Sequence, residues 1–80
     1  MDGKTVTIYS TPTCGYCTMA KDYFKENNVE YTEIDVAANQ EEAEKMVKKS
    51  GQMGVPQIYI GEKLFIGFDK DGIAKELGLE

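Results

Sequence analysis

The chain has no histidine, no arginine and no tryptophan, and it has only two prolines and two cysteines. Each absence excludes something. Without histidine there is no imidazole to deprotonate a Ser or Cys nucleophile, and no Cys/His set for a four-coordinate zinc site within one chain. Without arginine there is no bidentate guanidinium clamp for a carboxylate. Nine lysines against fourteen acidic residues leave a net charge of −5. That balance lacks the basic footprint of a nucleic-acid binder and reads as a solubility device. No apolar run is long enough to cross a bilayer. Met1-Asp2-Gly3-Lys4 has neither the basic start nor the apolar core of a leader peptide. The expectation is a cytoplasmic chain without membrane or nucleic-acid partners, acting as a monomer. In a reducing compartment persistent disulfides are rare, and a Cys pair is catalytic or metal-binding. Eighty residues predict one domain, 1–80, with a modest core.

The sequence does contain Thr13-Cys14-Gly15-Tyr16-Cys17, two thiols separated by two residues. A disulfide closing so short a loop constrains the unfolded chain little, so the pair is poorly placed as a staple. Its surroundings favour chemistry. Lys4 to Ser10 alternates and is rich in β-branched residues, which predicts a strand. Thr11-Pro12-Thr13 is a turn. From Cys14 to about Asn27, Tyr16, Ala20, Tyr23 and Phe24 recur at helical spacing. The pair therefore falls where a strand hands over to a helix.

The rest of the chain repeats such elements. Val29 to Val36 predicts a second strand. Asn39 predicts an N-cap, with Glu42 as its reciprocal partner, for a helix through Ala43, Met46 and Val47 that Ser50-Gly51 closes. Gln57–Ile60 and Leu64–Gly67 predict a hairpin around Gly61-Glu62-Lys63. Ile73, Ala74 and Leu77 predict a short last helix, entered from Asp69 to Asp71 with favourable negative charge in its first turn and stopped at Gly78. The order is β-α-β-α-β-β-α, an α/β class.

A helix N-terminus favours negative charge, and an anionic sulfur is the form that attacks disulfides. The dipole supplies about 0.3–1 kcal/mol to an exposed group. A charge-assisted hydrogen bond from an N–H adds about 1.5–3 kcal/mol. The dipole alone is marginal; the dipole with one or two N–H donors around Tyr16 and Cys17 suffices. Cys14, nearest the helix start and solvent, is assigned as attacker. Cys17, one turn inside, is assigned as the resolving thiol. Two ordinary buried thiols falling at this spacing just after a strand would be an unusual coincidence.

Ile8-Tyr9-Ser10, Thr13-Cys14-Gly15-Tyr16-Cys17, Gly54-Val55-Pro56-Gln57-Ile58 and Ile66-Gly67-Phe68-Asp69 together resemble the glutaredoxin family, in order and across almost the whole chain. The resemblance implies a thioredoxin fold with a central four-stranded mixed sheet, and a cis Val55–Pro56 bond facing the cysteines. It implies that a dithiol–disulfide oxidoreductase acts on disulfide-containing proteins or glutathione mixed disulfides. Glutathione would pair with the backbone at Val55, beside Gly54 and Pro56. Its γ-glutamyl end would meet Gly67, Phe68 and Asp69, and Tyr16 would pack beside the bound disulfide. Glutathione is the implied reductant, with no bound cofactor.

Several positions depart from the family pattern. Thr11 stands where many members have Lys, Gly54 where Thr is usual, and Phe68 where a second Gly is usual. Asp69 adds negative charge where an anion should sit. Each change weakens glutathione capture. The Gly67-Phe68 pair is similar to that of the small glutaredoxin-like proteins that serve ribonucleotide reductase and are recharged by thioredoxin reductase, so that flavoenzyme is the alternative donor. Gly15 replaces the usual Pro, as in relatives that share an iron–sulfur cluster between two chains. Metal or cluster carriage through Cys14 and Cys17 is thus a second reading. Copper chaperones also place Cys-x-x-Cys after a first strand, but in the order β-α-β-β-α-β. Lys21 reads as a solvated helix-face residue. Met19, Met46 and Met53 read as packing, with Met53 beside the substrate groove.

Overall fold

A computed structural model of the chain describes residues 5–79. The elements are β1 (Val6–Ser10), α1 (Gly15–Glu26), β2 (Thr32–Asp35), α2 (Gln40–Ser50), β3 (Gln57–Ile60), β4 (Lys63–Ile66) and α3 (Lys70–Leu77). Their order is the predicted β-α-β-α-β-β-α. The strands form one sheet in the order β2-β1-β3-β4. β1 and β2 are parallel, while β3 runs antiparallel to both β1 and β4, so the sheet is mixed. Lys4, the expected first residue of β1, lies outside the described residues, as does the segment read for a leader.

Strand alternation divides the side chains between two faces. Val6, Ile8, Ile58, Ile60 and Phe65 share one face and form the core with Ala20 and Phe24 of α1 and Ile73 of α3. Tyr9, Gln57 and Tyr59 occupy the opposite face. There Lys49 of α2 lies over the Tyr59 ring at 4.9 Å. Met46 is the buried residue of α2.

Helix caps explain where the elements start and stop. Cys14 is the N-cap of α1 rather than its first helical residue. At the other end, Asn28 takes a left-handed φ of 57°, a conformation Asn tolerates better than most residues. The Asn28 N–H bonds the Lys25 carbonyl at 3.2 Å and the Val29 N–H bonds the Phe24 carbonyl at 2.8 Å. This pairing is a Schellman closure, with Val29 packed on the core that holds Phe24. Val29 is therefore consumed in ending the helix, and Tyr31 packs against Phe24 at 5.6 Å. For that reason β2 is shorter than the predicted 29–36. Asn39 caps α2 by accepting from the Glu42 N–H at 3.2 Å. The Glu42 carboxylate itself lies 3.7 Å from Lys45. Ile60 faces Lys63 across a two-residue turn, so β4 begins one residue earlier than predicted. Gly67 leaves it with a φ of 84°.

Candidate active site

The end of β1 delivers the chain into a turn in which the Cys14 N–H donates to the Thr11 carbonyl at 3.3 Å. Cys14 then caps α1 through sulfur. Its Sγ accepts the Cys17 N–H at 3.2 Å. The sulfur thus stands at the N-terminus of α1 with an N–H donor of the first turn directed at it. On its other side the Cys14 thiol points at the Val55 carbonyl, 3.8 Å away. The Val55–Pro56 bond is cis, and Pro56 is buried behind it.

The two sulfurs occupy different environments. Cys14 is partly exposed and Cys17 is wholly buried. Burial, helped by a hydrogen bond to Cys14, pushes the Cys17 thiol up from 9.0 to about 12. The Thr11 backbone and the charge of Lys21 pull weakly the other way. Cys17 thus holds its proton while Cys14 stands at the surface with a donor aimed at it.

The remaining candidate residues surround this pair. Tyr16, in the first turn of α1, is 65% exposed beside the cysteines and takes no part in the core. Gly54 is exposed in the loop that leads to Val55. That loop is tied to the next one, because the Gly67 N–H donates to the Pro56 carbonyl at 2.8 Å. Phe68 turns inward, packing edge-on against Tyr23 of α1 at 5.8 Å. Asp69 caps α3 by accepting the Gly72 N–H at 3.2 Å. A carboxylate of the chain thereby occupies the N-terminus that an incoming anion would use.

Lys21 and Glu33 form a feature that sequence reading missed. Lys21 lies one turn beyond Cys17 on α1, and its Nζ meets Glu33 Oε2 of β2 at 2.7 Å. The buried Ser10 hydroxyl donates to the same oxygen at 3.0 Å. Lys21 and then Ser10 hold the Glu33 carboxyl below its usual 4.5. Lys21 is thus engaged across the sheet edge, not solvated. No local spacing signals a contact between residues 21 and 33. Among the described residues, no group of three His, Cys, Asp or Glu side chains gathers as metal ligands.

Known proteins match this chain in sequence and in shape. The glutaredoxin family model matches residues 6–65. A glutaredoxin of Neisseria meningitidis is 44% identical over 79 residues, covering 96% of this chain and 93% of that protein. A glutaredoxin-like 8.6 kDa protein in the rubredoxin operon of Clostridium pasteurianum is 41% identical over 70 residues, covering 88% of this chain and 93% of that one. Among solved structures, the glutaredoxin-like NrdH-redoxin of Escherichia coli, reported with a thioredoxin-like activity profile, superposes with a TM-score of 0.80 at 25% identity. It covers 89% of this chain and 92% of its own. The four-stranded mixed sheet with three helices, shared with these neighbours, is the thioredoxin fold.

Proposed function

The chain belongs to the glutaredoxin family of thiol–disulfide oxidoreductases, and from that premise we propose that it acts as a single-domain, monomeric dithiol reductase with Cys14 as nucleophile and Cys17 as resolving thiol. The Cys14 thiolate attacks one sulfur of a substrate disulfide, and the other sulfur leaves as a thiolate and takes a proton. Cys17 then loses its proton and attacks Cys14 Sγ, releasing the second substrate thiol and leaving a Cys14–Cys17 disulfide. Two electrons have passed to the substrate. An external dithiol or two thiols restore the pair.

The observation that carries this reading is the asymmetry of the sulfurs. Cys14 Sγ receives an N–H at 3.2 Å at the mouth of a helix, and Cys17 is fully buried behind it. Disulfide-containing proteins are the substrates. They lie along Gly54, Val55 and Pro56, next to the exposed Tyr16, in a reducing cytoplasm. Cys14→Ser is expected to abolish turnover, while Cys17→Ser still forms a mixed disulfide that accumulates and is seen by mass spectrometry. Equal alkylation rates for the two single variants would overturn the assignment.

For recharging, two donors compete: glutathione and a flavoenzyme of the thioredoxin-reductase type. Asp69 capping α3 and Phe68 folded onto Tyr23 both work against capture of a carboxylate at Gly67, and so favour the flavoenzyme. Initial rates of reduction of the oxidised protein, measured with glutathione plus its reductase and then with thioredoxin reductase, decide between them. The faster rate with glutathione would reverse this ranking. Metal or cluster carriage is the weaker reading, since two thiols leave further ligand positions for a second chain or glutathione to fill.

A further inference from the structure

Gln57 is the first residue of β3, on the sheet face shared with Tyr9 and Tyr59, and it is fully buried. Its side-chain Nε2 donates to two carbonyls of the preceding loop, Gln52 at 3.0 Å and Gly54 at 2.9 Å. Both amide protons are thereby used. The orientation is forced, because a flipped amide would set its oxygen against two carbonyl oxygens. The cost falls on Oε1, which is buried and has no partner among the described residues. A buried acceptor without a partner is destabilising. That cost is set against the two hydrogen bonds the amide donates, so what the side chain gains lies in the loop it holds.

What the amide does is hold a stretch of backbone with no regular structure of its own. Residues 51–56 lie outside any helix or strand. Ser50 Oγ fixes the start of the loop by accepting the Gln52 N–H at 3.1 Å. The Gly67 N–H fixes its end through the Pro56 carbonyl at 2.8 Å. The Gln57 amide fixes the middle, on either side of exposed Met53. Gly54, one of the two anchored residues, immediately precedes Val55, whose carbonyl stands 3.8 Å from Cys14 Sγ.

Resting on the reading of Cys14 as nucleophile, we propose that Gln57 is a positioning residue that holds the Gly54–Val55 backbone at a fixed place opposite the reactive sulfur, so that an extended substrate chain can pair with it. The amide acts through the loop and touches neither sulfur. Its loss weakens capture of a peptide disulfide and leaves the chemistry of Cys14 alone.

Gln57→Met tests this. Methionine matches the length and volume of glutamine, and residues 52 and 54 lie in an exposed loop outside the core, so the fold is expected to be retained. For reduction of a disulfide-linked peptide pair, KM is expected to rise about fivefold or more while kcat stays within about twofold. The alkylation rate of Cys14 by iodoacetamide stays at the wild-type value. Amide hydrogen exchange across residues 52–55 speeds up about tenfold, with the amides of β1 and β3 unchanged. An unchanged KM overturns the proposal, and so does a parallel fall in kcat, KM and alkylation rate, which marks a purely structural residue. Should Gln57→Met fail to fold, Gln57→Glu gives the reading. Its carboxylate opposes both carbonyls, and protonation restores one donor, so its KM relative to wild type falls as pH is lowered. A pH-independent ratio overturns the proposal. A wild-type protein that turns over no disulfide defeats the oxidoreductase reading, and the exchange measurement then decides alone: unchanged rates at residues 52–55 overturn the role of Gln57.

Discussion

Burial makes Cys17 a poor acid, and the proposed order of the two thiols draws on that. In the reduced protein an alkylating agent at pH 8 should add once, at Cys14, because Cys17 is both out of reach and protonated. The same shift predicts a pH dependence of stability. The folded chain holds the Cys17 proton more tightly than the unfolded chain, with a value of about 12 against 9.0. Its contribution to folding is therefore complete below pH 9 and is lost as the pH climbs toward 12. Tyr9 is raised from 10.0 by burial, with Glu42 and Tyr59 adding to the effect, so it weakens the fold over an overlapping range. Urea melts of reduced wild type and Cys17→Ala between pH 8 and 11 separate the two. The wild type should lose stability more steeply; parallel curves would remove Cys17 as the cause. That both cysteines fall where β1 hands over to α1 was legible in the sequence, because a strand pattern ends before them and a helical period begins with them. Their unequal burial follows from the face of α1 that carries Cys17, Ala20 and Phe24 into the core; the apolar spacing of the sequence marks Ala20 and Phe24 but also Tyr16, which the structure leaves exposed. Gln57 was not legible. A polar residue at the start of a strand gives no hint that its amide reaches back to the carbonyls of residues 52 and 54.

At the scale of elements, caps decide both where helices lie and what they can bind. The sequence predicts Asp69 as favourable charge at the entry to α3; the structure makes it the cap itself. Gly72 allows this arrangement. A Cβ at that position would stand 2.6 Å from Asp69 Oδ2 and 3.0 Å from Phe65 Cε1. Alanine favours a helix over glycine by about 1 kcal/mol, and loss of an N-cap costs about 0.5–2 kcal/mol. Gly72→Ala should therefore be neutral or destabilising by up to about 1 kcal/mol, where an open helix site would gain; a clear rise in Tm would show that the cap moves freely. Asp69→Asn separates charge from cap, since Asn caps about as well as Asp. It should leave Tm within a few degrees and raise the rate of reduction by glutathione roughly twofold to fivefold. An unchanged rate would mean that the anion does not approach α3. The order of elements was readable because each carries its own periodicity and stop signals. The late start of β2 was not, since Val29 satisfies a strand pattern and a Schellman closure equally well. The Lys21–Glu33 pair joins α1 to an edge strand, and contacts between elements leave no mark on local sequence. With Glu33 40% exposed, the pair contributes little to stability.

The whole molecule carries −5, and glutathione is itself an anion at neutral pH. The net charge therefore opposes the approach of such an anion, and the Asp69 carboxylate stands at the start of α3. Like charges slow an encounter, and salt screens them, with a Debye length of about 10 Å at 0.1 M. The rate at which glutathione reduces the Cys14–Cys17 disulfide should accordingly rise as ionic strength increases from about 0.01 to 0.3 M, where the Debye length falls from roughly 30 Å to below 10 Å. Reduction by dithiothreitol, which is uncharged until a thiol ionises, sets the reference and should change far less. A flavoenzyme that presents a basic rim to this acidic surface should show the reverse slope, fastest at low salt, because there opposite charges steer the encounter. The three slopes, read on one oxidised sample by stopped flow, separate the donors by physics rather than by rate alone. A glutathione rate that falls with salt would place an attractive cationic site near Cys14 and defeat the argument from net charge.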